Sequence, residues 1–228
     1  MTAVYYFSGS GHSLAVADFF AKQLNCKLVE MGSYAITEPH EDVAVVVFPV
    51  YCQNIPQPVK VFLKGLTSRY VILIATYGRI SYGNVIFEAS KTVRGEVIAG
   101  AYVPIGHTFL NGDFSFDEST LLPILERAQD PRKAYIPKTR KNPLADILPA
   151  WRSRVGVKII KTDKCLKCRQ CEKSCPMGAI KNGVIGKKCI RCLRCVTACP
   201  HKALQFKNRW ILDNYLKRYS KDEPKLYL

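Results

Sequence analysis

Eight cysteines between Cys165 and Cys199 repeat one spacing twice, and no other feature restricts this chain as much. They run Cys165-x2-Cys168-x2-Cys171-x3-Cys175-Pro176 and Cys189-x2-Cys192-x2-Cys195-x3-Cys199-Pro200, each member displaced by 24 residues. The repeat continues past the prolines, since Ala179-Ile180 maps onto Ala203-Leu204, so a whole structural unit is duplicated with its ligands. Three thiolates spaced two residues apart can wrap an iron–sulfur cluster in a tight loop. Each turn brings the next sulfur to another iron and leaves amide N–H groups facing the sulfides, and the fourth ligand comes from elsewhere. C-x2-C pairs also bind zinc tetrahedrally, which is the alternative, but zinc needs two pairs and has no use for a third cysteine or the following proline.

Charge is divided in the same way as cysteine. Residues 1–150 carry 14 Lys+Arg against 13 Asp+Glu, whereas residues 151–228 carry 20 against 5, a net +15. Only Cys26 and Cys52 fall in the first part. With 228 residues, the chain exceeds the usual single-domain size of about 100 to 150, so two unequal domains are expected. Hydrophobic residues, 48% of the total, never form a run of eighteen or more, so no membrane span is expected. Met1 to Phe7 has no positively charged leader and runs into a Gly-rich turn, which predicts a cytoplasmic protein, where clustered cysteines mean metal before disulfides.

Before the cysteines, short apolar runs alternate with helical stretches. Strands are expected at Val4–Phe7, Val43–Phe48, Tyr70–Ala75 and Val97–Val103, and helices at Ser13–Leu24, Pro58–Leu66, Val85–Val93 and Asp117–Ala128. This is the pattern of an open α/β fold, a parallel sheet with helices on both faces, whose ligand site lies at the C-terminal ends of the strands. Ser8-Gly9-Ser10-Gly11-His12-Ser13 occupies the turn from the first strand into the first helix, where small residues let backbone N–H groups approach a phosphate. It lacks the Lys of a Walker motif and the spacing of a dinucleotide loop. The bland alternative is a Ser/Gly turn that only caps a helix. The loops after the two central strands, Pro49-Val50-Tyr51 and Thr76-Tyr77-Gly78-Arg79, carry the next candidates, with Tyr82 a weaker one. Cys26 and Cys52 read as ordinary thiols, and His40, His107 and His201 have no partners at metal spacing.

The cysteine motifs resemble bacterial-type two-cluster ferredoxins. The resemblance implies two [4Fe-4S] clusters with crossed ligation: one on Cys165, Cys168, Cys171 and Cys199, the other on Cys189, Cys192, Cys195 and Cys175. Residues 8–13 resemble the flavodoxin phosphate loop, with His12 where that family has Asn. This implies FMN, its ring between Tyr51 and Tyr77, with Arg79 placing positive charge nearby. The whole chain resembles the flavodoxin–ferredoxin fusion proteins. It implies a flavodoxin-like domain at 1–136, a linker at 137–156, a small α+β ferredoxin-like domain at 157–206 and a helical tail at 207–228. Trp210 to Tyr219 is its amphipathic part.

An electron carrier that passes electrons between FMN and the clusters is the function this implies. The alternatives are a flavin-dependent reductase fed through the clusters and, less favoured, a nucleic-acid-binding protein with structural clusters. Lys167, Arg169, Arg191 and Arg194 stand between ligands and are expected to dock an acidic redox partner. A homodimer is compatible with the sequence, and no membrane partner is expected.

Overall fold

The structure, a computed structural model, describes residues 1–32, 41–110, 115–218 and 223–228. His40 lies outside them, as do residues 111–114 ahead of the helix expected at Asp117–Ala128. Among the described residues no helix is long and apolar enough to cross a membrane.

The N-terminal part alternates β1 (Thr2–Tyr6), α1 (His12–Gln23), β2 (Lys27–Glu30), β3 (Val43–Pro49), α2 (Gln57–Gly65), β4 (Tyr70–Tyr77), α3 (Val85–Ser90), β5 (Glu96–Pro104) and α4 (Leu122–Gln129). These five strands are parallel, in the order 5-4-3-1-2. That is the flavodoxin-like order, whose direction reverses between β1 and β3 and opens a crevice there. The central strands are apolar throughout because both of their faces are covered. Ala44, Val46 and Phe48 of β3 face one core with Val59, Leu63 and Ile86 from α2 and α3. Val43, Val45 and Val47 face the other with Val16, Phe20 and Ile124 from α1 and α4. Each fully buried side chain of this size contributes about 1.5–3 kcal/mol. The Asp117 carboxylate accepts from the Ser119 N–H and caps the turn that leads into α4.

Residues 137–156, expected as a linker, are a packed strap that ends in α5 (Pro149–Gly156). The Lys141 ammonium pairs with Glu88 at 2.7 Å and Asp146 at 2.6 Å, and Asn54 Nδ2 donates to the Ala145 carbonyl. The strap holds because its polar groups bond the loop after β3 and helix α3.

The cysteine-bearing part follows: β6 (Val157–Lys161), α6 (Gln170–Lys173), β7 (Ile180–Lys181), β8 (Val184–Ile185), α7 (Arg194–Thr197) and β9 (Leu204–Asn208). Strands β6 and β9 pair antiparallel, and β7 and β8 form a hairpin. Its turn is Asn182-Gly183, both with positive φ, the two-residue turn whose twist suits a hairpin. Among the described residues, which leave out Tyr219, the tail is helical in α8 (Trp210–Leu216). Its end, β10 (Lys225–Tyr227), joins the first sheet antiparallel to β5, with Tyr227 opposite Gly100. A wholly helical tail is therefore corrected: the Leu226–Tyr227 pair is apolar and covers the sheet edge that β5 would expose.

Candidate functional site

The fold gathers the cysteines in two sets. Cys165, Cys168, Cys171 and Cys199 line an open cavity of about 430 Å³, and Cys175, Cys189, Cys192 and Cys195 line a smaller hollow walled by Ile159, Ile180 and Leu193. Among the described residues no three Cys, His, Asp or Glu side chains converge closely enough to hold a single ion. The thiols surround space instead, as the donor set of a cluster must. The repeat extends to the backbone. Lys167 and Arg191 have φ of 56° and 57°, Arg169 and Leu193 59° and 62°, and Gly178 and Lys202 54° and 48°. The first two pairs turn the loop between successive thiols and the third turns the chain after the fourth, which is why glycine suits such positions.

Amide groups point at the sulfurs. Ala179 N–H donates to Cys175 Sγ at 3.2 Å and Ala203 N–H, its counterpart in the repeat, to Cys199 Sγ at 3.3 Å. Burial pushes the Cys192 thiol up to about 11 and the Cys195 thiol up to about 12, so ligation there must displace protons. At Cys199 burial works upward but is outweighed by N–H groups from Ala203, Leu204, His201 and Lys202, and the thiol sits below its ordinary value.

The second candidate site lies at the crevice between β1 and β3. Residues 8–13 turn there from β1 into α1 through Gly11, with φ 99°. No side chain caps this helix and no acidic residue stands in its first turn, while the Gly11 N–H donates to Ser8 Oγ at 3.1 Å. Ser13 Oγ bonds Thr76 Oγ1 at 2.8 Å. Ser10 Oγ bonds both His12 Nδ1 at 2.8 Å and Thr108 Oγ1 at 3.0 Å. His12 thus holds the loop's own hydroxyl, and burial keeps its pKa below the ordinary imidazole value. Small residues, hydroxyls and an uncapped helix start fit a phosphate.

The remaining candidates divide. The Val50 N–H, next to Pro49, donates to the Thr76 carbonyl at 2.8 Å and joins the two loops. Tyr51 stands at the phosphate-type loop, its hydroxyl 2.8 Å from where a β-carbon on Gly9 would lie, and burial raises its pKa well above 10. Tyr77, expected beside it as a second ring wall, is only 4% exposed and packs edge-on against Tyr82, which stacks on Tyr102 at 4.0 Å. Its ring therefore belongs to the core. Gly78 is needed where it is, because a β-carbon would fall 2.2 Å from the His107 ring. Burial and the neighbouring His12 push His107 down to about 4. Arg79 is half-buried with φ 54°. Sequence reasoning missed Thr108 and His107, which come from the loop after β5. The one usable signal was that this loop, like those after β1, β3 and β4, ends a parallel strand.

The two sites touch. The Cys192 carbonyl oxygen sits 2.0 Å from a β-carbon built on Gly9, so only glycine allows this approach. Arg194 donates to the Ser8 carbonyl through Nε at 3.0 Å and Nη2 at 2.7 Å, pairs with Glu30 at 2.8 Å and lies over the Phe7 ring. Ile190 packs on the core beneath α2 and α3, Phe109 meets Phe206 at 5.9 Å, and Asn208 Nδ2 donates to the Phe109 carbonyl. Arg191 turns inward, its Nε donating to the Val157 carbonyl. Of the four cations expected at a docking face, Arg191 and Arg194 are thus spent inside the molecule, while Lys167 and Arg169 are exposed.

Residues 158–180 match a family described as a 4Fe-4S binding domain, and residues 184–205 match a second family of the same description. The C-terminal part therefore holds two 4Fe-4S binding domains, one per cysteine motif. No curated protein matches the chain. Among solved structures, a protein provisionally described as a flavoprotein from Bacteroides uniformis ATCC 8492 is 15% identical, with a TM-score of 0.41, over 55% of this chain and 97% of that one. Another so described, from Bacteroides eggerthii DSM 20697, is 17% identical, with a TM-score of 0.40, over 55% and 95%.

Proposed function

We propose that this chain is an iron–sulfur flavoprotein electron carrier of the flavodoxin–ferredoxin fusion kind. FMN is held at residues 8–13, and two clusters on crossed thiol sets feed one-electron partners. The observation that carries this reading is the contact between Gly9 and Cys192, because it joins a phosphate-type loop at a sheet switch point to a cluster-binding loop in one chain. Backbone N–H groups at the start of α1, with the hydroxyls of Ser8, Ser10 and Ser13, would take the phosphate, and Tyr51 would stand beside the ring. Gly9 and Gly11 keep side chains out of the way. Cys165, Cys168, Cys171 and Cys199 would hold one cluster and Cys175, Cys189, Cys192 and Cys195 the other, a division supported by the two hollows they line.

When bound, a flavin supplies two-electron chemistry and each cluster one-electron chemistry, so the pair converts between them. The chain's residues position these groups and exclude water at the junction. The test is anaerobic purification with metal, sulfide and flavin analysis, expecting two four-iron clusters and FMN in each chain. Zinc in place of iron would overturn the cluster reading, and clusters without FMN would overturn the flavin reading alone.

A further inference from the structure

The two thiol sets are not equivalent in the fold. Cys189, Cys192 and Cys195 are buried, at 8%, 8% and 6% exposure, and their loop is seated on the first domain through Ile190, the Cys192 carbonyl and Arg194. The side chain of Arg194 is only 15% exposed and makes three polar contacts, two with the loop after β1 and one with β2. The other set faces away. Cys168 is exposed, its cavity opens to solvent, and Lys161, Lys167 and Arg169 on its rim are exposed.

We propose that the molecule is wired in one direction. The set Cys175, Cys189, Cys192 and Cys195 is the inner junction, with Arg194 the positioning residue that latches its loop onto Ser8. The set Cys165, Cys168, Cys171 and Cys199 is the outer port, where an acidic one-electron carrier docks on Lys167 and Arg169. The inference rests on the reading that residues 8–13 hold a flavin phosphate. The occupant of the port is chosen by charge: residues 151–228 carry +15, and two clusters with four thiolates each remove only about four of those charges. In the reducing direction the partner would give up one electron at the outer set, and the inner set would carry it inward. Two such electrons, with protons from solvent, would reduce the flavin whose phosphate residues 8–13 hold, and no further reactant is needed.

Tunnelling falls steeply with separation, so loosening the latch must slow the inner step and leave the outer one alone. Stopped-flow reduction of the full-length, cluster-loaded protein by an acidic ferredoxin separates the two steps, and amide exchange of residues 8–13 reports the latch without electron flow. Arg194→Ala is expected to raise that exchange about tenfold or more and to slow delivery to the flavin by a similar factor. The bimolecular reduction of the clusters should hold its rate. Lys167→Glu with Arg169→Glu is expected to cut the bimolecular rate about tenfold and flatten its salt dependence, with exchange at residues 8–13 unchanged.

If Arg194→Ala loses iron, Glu30→Gln, which touches no thiol, carries the same test in the same direction. Protein with clusters but no flavin would overturn the flavin reading, and the exchange measurement would then decide the latch by itself. Unchanged exchange in both latch variants overturns the junction. A bimolecular rate that responds to Arg194→Ala but not to the Lys167 and Arg169 reversals overturns the assignment of the port.

Discussion

Arg194 and Ser8 are separated by 186 residues, and the guanidinium of one donates two hydrogen bonds to the carbonyl oxygen of the other. That carbonyl lies in the loop just after the first strand, where the sheet order reverses, so a cluster-binding loop is fastened at the position where a flavodoxin-like sheet takes its ligand.

The closeness of that fastening makes Gly9→Ala a sharp test. A methyl there would meet the Cys192 backbone oxygen at 2.0 Å, and neither partner is a flexible side chain. We expect a loss of about 1–3 kcal/mol in urea unfolding, with Gly186→Ala as a control that meets only an ordinary contact at 3.4 Å. Equal midpoints for the two variants would show that the loops do not touch.

Crossed ligation predicts a pairing of spectroscopic defects. Cys175→Ser should damage the same cluster as Cys192→Ser, and Cys168→Ser the same cluster as Cys199→Ser, as read by electron paramagnetic resonance of the reduced protein. Agreement of Cys175→Ser with Cys168→Ser would mean that each motif closes its own cluster.

The tyrosines separate by role. Tyr51→Ala should weaken FMN retention about tenfold, whereas Tyr77→Phe, which removes only the hydroxyl of a ring packed on Tyr82, should leave it unchanged. Tyr102→Phe should cost about 1–3 kcal/mol, because the Ile86 N–H loses its acceptor in the core. Loss of FMN from Tyr77→Phe would return that hydroxyl to the flavin site.

Acid should reveal His107. Its pKa in the fold is about 4 against an ordinary 6.5, so between those values the unfolded chain binds more protons and stability falls as pH falls. Below about 4 both states are protonated and the contribution, on the order of 3 kcal/mol, is gone. Urea midpoints from pH 7 to pH 5 should fall more steeply in the native sequence than in His107→Asn. Parallel curves would place the imidazole in water.

What could be read from the sequence was local. The thiol spacing, its 24-residue repeat and the prolines specify the cluster loops because each turn depends on a few contiguous residues. The same holds for the buried strands, whose apolar runs need no knowledge of their neighbours, and for the Ser/Gly turn before α1. Two short strands of the six-stranded sheet escaped. Lys27–Glu30 and Lys225–Tyr227 are four and three residues long, and each becomes a strand only by pairing with an edge that exists once the sheet has formed.

Side-chain destinations were beyond sequence for a related reason. Arg191 and Arg194 look no different from Lys167 and Arg169 as cations between ligands, yet the first two are consumed by carbonyls and a carboxylate of distant segments and the others face solvent. A long cation goes wherever an acceptor is brought within reach. Composition and spacing pointed to candidate residues for iron and phosphate, but only the apposition of remote segments decided which cysteine loop meets the loop after β1.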